Sequence, residues 1–361
     1  MRRVPALIVG GGPAGSAAGI ALSRAGIEAE IVERSPGPQD MVCGGFLGWD
    51  ALAALRSLGV DAAALGARPI ARLRLVSAED EVEAALPHPA AGLSRRTLDA
   101  ALLGAAEAAG ARVRRGVAVR SADLGQRCLK LDGGDEAAGE ALLIATGKHE
   151  LRGAARPRDT SADPIGLRTA LAPSPVLERA LDGVIELHLF DGGYAGLLLQ
   201  EDGQANLCLS AARRRLKAAG GIERLVGELA DELPALAERL RQGRMAGWSA
   251  VSGVPYGWRA AATAPGVYRL GDQAAVIASL AGDGIAIALA SGRAAGAAIA
   301  AGRPAEDYQK AFRRQAGRPV AAAEALRWAA EHAAPRAAFM GVLKGLPRLT
   351  GLAALLTRIG R

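Results

Sequence analysis

The sequence predicts an α/β fold that is interrupted by an inserted α+β segment and followed by a helical C-terminal tail. Three observations indicate this fold. A β-branched apolar run ends at Val9 and leads into a glycine-rich turn and a helix. Strand-like segments then dominate residues 156–261. Past them, hydrophobic residues lead into a second glycine-rich turn at Gly271-Asp272. We therefore predict a discontinuous first domain (1–68, 88–155 and 262–310), a second domain inserted in it (69–87 and 156–261) and the tail (311–361).

The individual elements follow from local patterns. A helix rich in small residues follows the first turn, and Gly26 can end it before a second strand. Two strand-like runs joined by the polar turn Ala78-Glu79-Asp80 predict a hairpin. The apolar run 141–147 predicts a buried parallel strand. The later segments predict an antiparallel sheet and then helices; these are strands over 165–171, 184–190 and 194–211, with a turn at 201–203, and helices within 222–241.

Composition narrows the class of protein. The chain has 361 residues, of which 50% are hydrophobic, and this is long enough for a large core. No apolar run reaches the length of about 18 residues that would span a bilayer. The 3 cysteines are widely spaced, so we expect neither a disulfide framework nor a metal site. The net charge is +7, but the basic residues are scattered and only 3% of residues are aromatic, so we expect no nucleic-acid partner. We expect a cytoplasmic protein.

The first glycine-rich turn is typical of dinucleotide binding. It has the spacing G-x-G-x-x-G, between a strand and a helix. Gly10 permits a tight turn, Gly12 lets the backbone approach a pyrophosphate, and Gly15 lets the helix pack close to the strand. Glu33 follows about 20 residues later, where an acid binds a ribose diol and repels a 2′-phosphate, which disfavours NADP. The predicted contacts are Gly10, Gly12, Pro13, Ala14, Gly15, Glu33 and Arg34. FAD and NAD both use such a turn.

The second turn favours FAD, bound non-covalently. The stretch "YRLGDQAAVIASLAGDGIAIALASG" runs from Tyr268 to Gly292. Asp272 can accept a hydrogen bond from a ribityl hydroxyl. The backbone amides of residues 282–285 begin a helix whose dipole would stabilise the negative charge of reduced flavin. The predicted contacts here are Gly271, Asp272, Gly282, Gly284 and Ile285.

Taken together, these motifs resemble the FAD-dependent oxidoreductases with the p-hydroxybenzoate hydroxylase fold, and most closely their geranylgeranyl reductase-like branch. The resemblance spans Val4 to Ile299. It rests on "GGGPAG…VER", on "CGG" at 43–45, on "LSRRTLD" at 93–99, on "IATG" at 144–147, on "GGYAG" at 192–196 and on "GD…GDGI" at 271–285. It implies a Rossmann-like, three-layer FAD-binding domain, an inserted substrate domain with an antiparallel sheet, and the helical tail.

The resemblance also implies further cofactor contacts. Arg95 would reach the pyrophosphate or the ribityl chain, Val119 would contact adenine through its backbone, and Thr146-Gly147 would pass close to the cofactor. Cys43 and Gly44 would lie beside the flavin ring, because flanking glycines allow a close backbone approach.

The sequence departs from the family pattern in three places. Thr146-Gly147 replaces the Asp-Gly motif of the hydroxylases, which favours the reductase-like branch and leaves open the electron donor, with NAD(P)H as a transient candidate. Ser279 and Ala281 occupy a segment in which the family usually has a proline. The Trp-x-Trp motif of tryptophan halogenases is absent.

Two residues are candidates for the chemistry. Cys43 could contact the flavin, gate access to it, or fill space. Tyr194 would face the cavity over the ring, where its hydroxyl could bind substrate, although a core tyrosine is an equal alternative. No acid or base stands out, as expected if the flavin performs the difficult step.

The predicted function is an FAD-dependent oxidoreductase acting on a hydrophobic small molecule (isoprenoid, polyketide or aromatic) by double-bond reduction or monooxygenation. One alternative is an aromatic hydroxylase that uses NAD(P)H and O2. An alternative of another class is a non-catalytic flavin- or lipid-binding protein. The sequence does not determine the oligomeric state.

The tail predicts one more feature. Leu349, Leu352, Leu355, Leu356 and Ile359 fall on one face of a helix that Arg348 and Arg358 flank. We expect this helix to pack on the body of the protein, with peripheral contact to a membrane as the alternative. In either case we expect it to lie outside the FAD site.

Overall fold

The computed structural model describes residues 3–157 and 164–360. Its strands form two sheets, and the N-terminal part of the chain contributes strands to both. The strands are β1 Arg3–Val9, β2 Ala29–Glu33, β3 Phe46–Leu47, β4 Arg68–Val76, β5 Glu81–Gly92, β6 Arg112–Arg115, β7 Val119–Asp123, β8 Cys128–Leu131, β9 Glu136–Ile144, β10 Pro164–Leu171, β11 Gly183–Phe190, β12 Gly193–Leu199, β13 Ala205–Ala212, β14 Ser249–Ser252 and β15 Val267–Arg269.

Helices cover both sheets and form the C-terminal region. They are α1 Pro13–Arg24, α2 Trp49–Leu58, α3 Arg95–Ala108, α4 Pro175–Leu181, α5 Arg213–Ala219, α6 Ile222–Glu232, α7 Pro234–Arg241, α8 Gly284–Ala300, α9 Ala305–Gln315, α10 Gly317–Glu331, α11 Ala333–Gly345 and α12 Leu349–Leu356. Short 3-10 turns at 271–273 and 279–281 precede α8.

The first sheet has the strand order β6-β2-β1-β9-β8-β7, and β15 also pairs with β9. β1 runs parallel to β2 and to β9, with Ile8 opposite both Ile31 and Leu143. These three side chains are fully buried, as in parallel strands that are covered on both faces. The carboxyl ends of these parallel strands meet at one edge of the sheet, where α/β folds bind their ligands.

Small residues bring α1 and α8 together on this sheet. A Cβ on Gly292 would lie 2.2 Å from the carbonyl oxygen of Ala14, and one on Gly296 would lie 2.6 Å from the Ala21 side chain. Only glycine fits at such contacts. The run of alanine and glycine in both helices therefore has a packing role, and it sets the N-termini of the two helices side by side.

The second sheet has the order β14-β10-β13-β12-β11-β4-β5-β3. Most pairs are antiparallel, but β11 pairs with β4 in parallel, with Leu187 opposite Leu75. The predicted antiparallel pairing within the inserted segment is confirmed, and the hairpin β4–β5 joins that sheet through this parallel pair. The hairpin also extends further than the predicted range 69–87, because β5 continues to Gly92 and pairs there with β3.

The side chains of the second sheet alternate between two environments. In β12, Ala195, Leu197 and Leu199 belong to a buried cluster with residues of α4, α6 and α7. Tyr194, Gly196 and Leu198 of the same strand line a cavity on the opposite face. The sheet thus has one structural face and one face that is open to a ligand.

The C-terminal region packs on the body through α11, whose Met340 and Leu343 are buried against side chains of the second sheet. The tail helix is shorter than predicted, and the packing expected of its leucine face is wrong for three of the leucines. The helix α12 ends at Leu356, so Ile359 lies beyond it. Leu349, Leu352 and Leu355 are 36%, 51% and 47% exposed, because the opposite side of α12 faces the protein and buries Thr350.

Among the described residues, no single helix is both long and apolar enough to cross a bilayer. The helices α11 and α12 satisfy that test only as a pair, and they are bent by 120° relative to each other. The α/β class, the inserted sheet and the helical C-terminal region are confirmed by this architecture.

Candidate functional site

A cavity of about 790 Å³ connects the carboxyl edge of the first sheet with the open face of the second. Every residue predicted to contact the cofactor lines this cavity except Gly15, and the catalytic candidates Cys43 and Tyr194 line it as well. Gly15 lies behind the turn, where a Cβ would be 1.9 Å from the Gly10 carbonyl oxygen. Its role is therefore to bring the helix close to the strand and not to contact a ligand.

The first turn, called here the phosphate turn, comprises residues 10–15. Gly10 has a φ of +100°, and a Cβ there would lie 2.5 Å from the Ala145 carbonyl oxygen. Gly12 has only the Arg95 guanidinium near its virtual Cβ, at 3.5 Å, so its backbone is accessible from the cavity. The turn therefore provides an uncrowded backbone surface at the N-terminus of α1, which is the arrangement that binds a phosphate.

Glu33 is held at the end of β2. Its Oε2 accepts a hydrogen bond of 2.6 Å from the Gly11 amide, and its Oε1 accepts one of 2.8 Å from the Ser35 amide. These backbone contacts orient the carboxylate beside the phosphate turn. An acceptor in this position can bind the two hydroxyls of a ribose.

Arg95 provides a fixed positive charge beside the phosphate turn. It is the first residue of α3, and it donates hydrogen bonds of 2.8 and 2.7 Å to the two oxygens of Asp99. Burial lowers the pKa of Arg95, but the charge and hydrogen bonds of Asp99 outweigh burial and raise it above its ordinary value. A guanidinium held in this way is suited to a pyrophosphate.

The second turn, called here the flavin turn, comprises residues 282–285. Gly282 has a φ of +73°, and a Cβ there would lie 2.7 Å from the Phe46 ring. Gly284 begins α8 and has no atom within 4 Å of its virtual Cβ. Asp272, in the earlier 3-10 turn at 271–273, also lines the cavity. Its backbone carbonyl accepts a hydrogen bond of 2.9 Å from the buried Arg156.

The second sheet holds the segment "CGG" in the same cavity. The Asn206 amide of β13 donates hydrogen bonds of 3.0 and 2.8 Å to the carbonyl oxygens of Cys43 and Gly44. Gly45 has a φ of +72°, and a Cβ there would lie 2.7 Å from the Gln200 amide nitrogen. Cys208 faces the cavity next to this segment, and burial raises the pKa of its thiol to about 12. Cys208 is therefore a neutral wall at physiological pH.

Comparison with known proteins agrees with this geometry. Residues 3–140 match a protein-family model described as "FAD binding domain". No curated protein matches the chain. Among solved structures, the flavin-dependent brominase Bmp2 is 17% identical with a TM-score of 0.80, over 99% of this chain and 93% of that one.

A geranylgeranyl bacteriochlorophyll reductase-like protein from Thermoplasma acidophilum is also 17% identical, with a TM-score of 0.78 over 100% of this chain and 94% of that one. A variant of halogenase PltM in complex with FAD is 16% identical, with a TM-score of 0.71 over 89% and 75% of the two chains. The chain has the fold of these proteins, the p-hydroxybenzoate hydroxylase fold. These findings confirm the predicted fold, and the match to an FAD binding domain supports the predicted FAD-dependent oxidoreductase.

The residues that line the cavity fit FAD. Glu33 and Val119 suit an adenosine, Arg95 suits a pyrophosphate and Asp272 suits a ribityl chain, and all four line the cavity. The N-termini of α1 and α8 both open into the cavity, so two helix dipoles favour the negative charges of a pyrophosphate and of reduced flavin. The individual FAD contacts stay predictions.

Three residues that line the cavity were not predicted as site residues from the sequence: Lys148, Tyr256 and Ser279. Lys148 donates a hydrogen bond of 2.8 Å to the Val42 carbonyl oxygen. Burial lowers the pKa of Lys148, but the charge of Asp272 and other nearby groups outweigh burial and raise it, so the side chain is a cation. Tyr256 and Ser279 also line the cavity. The Ser279 hydroxyl bonds to the hydroxyls of both Tyr194 and Tyr256.

Two histidines near the second sheet and the cavity differ in position. His149 lines the cavity and contacts the Arg34 guanidinium at 2.8 Å, and burial followed by the charge of Arg34 lowers its pKa. His188 is fully buried on the other face of the second sheet, where it bonds to Glu186. Arg74 and Arg239 also pair with this carboxylate. Burial raises the pKa of Glu186, but the bonds from His188 and Arg239 outweigh burial and lower it to about 2.

The tail reaches the flavin turn, but none of its described residues lines the cavity. The expectation that it lies outside the FAD site stays a prediction. Arg358, 5% exposed at its side chain, pairs with Asp283, which is fully buried at the N-cap of α8. The same guanidinium stacks over the Trp49 ring at 4.5 Å and lies 5.7 Å from the centre of the Phe46 ring. No local pattern could indicate this contact, because it joins the last turn of the chain to a distant helix start.

Proposed function

We propose that this flavoprotein acts on a hydrophobic small molecule at the flavin, by double-bond reduction or by monooxygenation. The observation that supports this most is the continuity of one cavity. It runs from the phosphate turn past the flavin turn to an apolar wall on the second sheet and the segment before α8. That wall consists of Ile185, Leu187, Leu198, Val251, Val254, Ile277 and Leu280.

The chain's own residues would bind, orient and exclude water. Bound FAD supplies the redox chemistry that side chains lack. The phosphate turn and Arg95 would hold its charged centre, and the flavin turn would stabilise negative charge that develops at one end. The apolar wall would take up the substrate, because transfer of apolar surface out of water is favourable.

Reduction of the flavin needs an electron donor, and we propose NAD(P)H as a transient one. Thr146 and Gly147 line the cavity where the hydroxylases carry their Asp-Gly motif, and because that motif is replaced the donor has to be identified by experiment. The donor is tested by mixing the purified protein with NADH or with NADPH under anaerobic conditions. Bleaching of the flavin absorbance by either nucleotide supports the proposal. If only a chemical reductant bleaches it, a different donor is required.

Cofactor identity is tested on the protein as purified. We expect a yellow protein that releases FAD into the supernatant after denaturation, at about one FAD per chain. Stoichiometric NAD with no flavin in that supernatant would contradict the cofactor assignment.

The reaction is tested with reduced holoprotein and a panel of apolar alkenes and arenes. Turnover without oxygen supports double-bond reduction, whereas substrate-dependent oxygen consumption with product hydroxylation supports monooxygenation. A protein that binds FAD and the apolar probes, but neither reoxidises nor reduces its flavin with any of them, would be a non-catalytic binding protein.

A further inference from the structure

Three hydroxyl groups meet at the substrate end of the cavity. Tyr194 of β12 and Tyr256 of the loop after β14 both bond to the Ser279 hydroxyl, with 2.7 Å between the oxygens of Tyr256 and Ser279. All three side chains line the cavity. We call this group the hydroxyl cluster. Ser279 also stands in the segment where the resemblance would place a proline, immediately before the flavin turn.

A count of hydrogen atoms shows that the cluster has a donor to spare. Three hydroxyls carry three hydrogens, and the cluster contains two hydrogen bonds. Whichever oxygen donates in these two bonds, one hydrogen is left over, and within the cluster only the interaction between the two tyrosine hydroxyls competes with a ligand for it. None of the three hydroxyls bonds to any other group in the part of the chain that the structure describes. Burial raises the pKa of Tyr194 well above its ordinary value, so its hydroxyl keeps the proton at neutral pH.

The cavity wall around the cluster contains donors and apolar groups but no acid. Glu324 and Glu331 of the neighbouring helix α10 do not line the cavity, and both pair with Arg327, whose guanidinium lies 5.6 Å from the centre of the Tyr256 ring. Among the described residues that line the cavity from the second sheet and from 249–256, none is aspartate or glutamate. Lys148 lies near enough for its charge to interact with Tyr256. Its ammonium bonds to one carbonyl, at 2.8 Å, and has no carboxylate within ion-pair distance in the described chain. An unused donor and an unpaired cation both favour a ligand that brings an acceptor.

We propose that the substrate is an apolar molecule that carries an acceptor oxygen, either a carbonyl or an ionised hydroxyl, and that this oxygen binds the hydroxyl cluster. The proposal rests on the proposed function, because it requires that the substrate occupy this cavity. It narrows the substrate class, since a pure hydrocarbon would leave the spare hydrogen without a partner. Ser279 belongs to the short turn at 279–281 that leads into the flavin turn. The oxygen-bearing end of the substrate is therefore the end held beside the flavin.

The test compares matched probes on FAD-loaded protein. The probes are 2-acetylnaphthalene, 2-naphthol and 2-ethylnaphthalene, which have similar apolar bodies. Binding is followed by equilibrium dialysis and by perturbation of the flavin absorbance. A neutral hydrogen bond should make 2-acetylnaphthalene bind roughly two- to tenfold tighter than 2-ethylnaphthalene. A larger preference for 2-naphthol that grows as the pH approaches the pKa of the free naphthol would assign the ionised hydroxyl.

The variants follow from the count of hydrogens. Removing one tyrosine hydroxyl still leaves two hydrogens and one bond, so Tyr194→Phe and Tyr256→Phe alone should keep a preference for the oxygen-bearing probes. The triple variant Tyr194→Phe/Tyr256→Phe/Ser279→Ala removes every donor and should abolish the preference for 2-acetylnaphthalene. It should fold, because removing all partners of a polar cluster together leaves none of them unsatisfied. The matched control is Tyr268→Phe, whose hydroxyl donates to the Arg303 carbonyl outside the cavity.

The outcomes separate this inference from the proposed function. Equal binding of 2-acetylnaphthalene and 2-ethylnaphthalene to the unmodified protein would overturn the inference, and so would an unchanged preference in the triple variant. Failure of all three probes to bind FAD-loaded protein would also overturn it. The FAD content and the flavin reduction of the same preparations are measured separately, and only their failure would count against an oxidoreductase.

Discussion

Removing the guanidinium of Arg358 should destabilise the protein, because it would leave a buried carboxylate without its partner. Asp283 is 0% exposed, and neither of its carboxylate oxygens accepts a hydrogen bond in the described part of the chain. Within the described chain, the ion pair with Arg358 compensates the negative charge of this carboxylate. Breaking one side of a buried pair typically costs about 3–5 kcal/mol. That is a large share of the roughly 5–15 kcal/mol that stabilises a typical domain.

The charge state of Arg358 supports this estimate. Burial lowers its pKa to about 10, and the charge of Asp50 opposes that effect. The guanidinium is therefore still protonated at neutral pH. Its position over the Trp49 ring adds a cation–π contact of about 0.5–2 kcal/mol, which Arg358→Met would also remove.

The assay is urea unfolding of the FAD-free and FAD-loaded protein, followed by tryptophan fluorescence. Arg358→Met should lower the free energy of unfolding by about 3–5 kcal/mol. The double variant Arg358→Met/Asp283→Asn should lose less, because no uncompensated charge is left behind. Arg348 is an exposed arginine of the same tail, so Arg348→Met should change stability by no more than about 0.5 kcal/mol. FAD affinity should fall in Arg358→Met, since an unpaired negative charge at the flavin turn opposes a negatively charged flavin.

Two results would refute this reasoning. One is an Arg358→Met variant as stable as the Arg348→Met control. The other is a double variant no more stable than Arg358→Met, because the loss would then come from packing and not from the charge of Asp283.

The remaining predictions concern the cofactor, pH and the surface of the tail. Glu33→Arg should weaken FAD binding, because a ribose acceptor becomes a cation; equal affinity in a titration of apoprotein would exclude that role. Asp272→Ala should weaken FAD binding roughly tenfold to a hundredfold if its carboxylate accepts a ribityl hydroxyl, and unchanged affinity would limit it to shaping the turn. Because the pKa of Glu186 falls from 4.5 to about 2 on folding, its stabilisation of about 3 kcal/mol is present above pH 4.5 and lost as the pH falls toward 2. The stability gap between the natural protein and Glu186→Gln should therefore narrow over that interval, and a constant gap would contradict the assignment. Because Leu352 and Leu355 are exposed, we expect the protein to bind anionic vesicles at low salt. Added salt should weaken this binding, and so should the change of both leucines to serine. No sedimentation with vesicles in any condition would exclude this contact.

Much of the cofactor site could be predicted from the sequence because its signals are local. A tight turn with a φ of +100° at Gly10 requires glycine, and a helix that packs within contact distance of a strand requires a small residue at Gly15. Such requirements are written into a few consecutive residues. The same holds for the flavin turn, where Gly282 has a φ of +73° and α8 begins at Gly284.

Strand pairing was less accessible to prediction. The hairpin turn between β4 and β5 was correct, because polar turn residues separate two alternating runs. The parallel pairing of β4 with β11 could not be derived, since it depends on how two distant segments meet and not on the pattern within either one. The outward position of Leu352 has a similar origin, because amphipathic periodicity gives an apolar face but does not say which side of α12 the protein body covers.

The sequence by itself determined the class of fold, the two glycine-rich turns and the FAD cofactor, because backbone conformation and close approach constrain neighbouring residues directly. Only the tertiary structure brought Tyr194, Tyr256 and Ser279 together and placed Arg358 against Asp283. These contacts join segments that are far apart in the chain, and each residue alone has an ordinary structural explanation. Their meaning comes from burial and from unmet hydrogen-bonding or charge requirements, which exist only after the chain has folded.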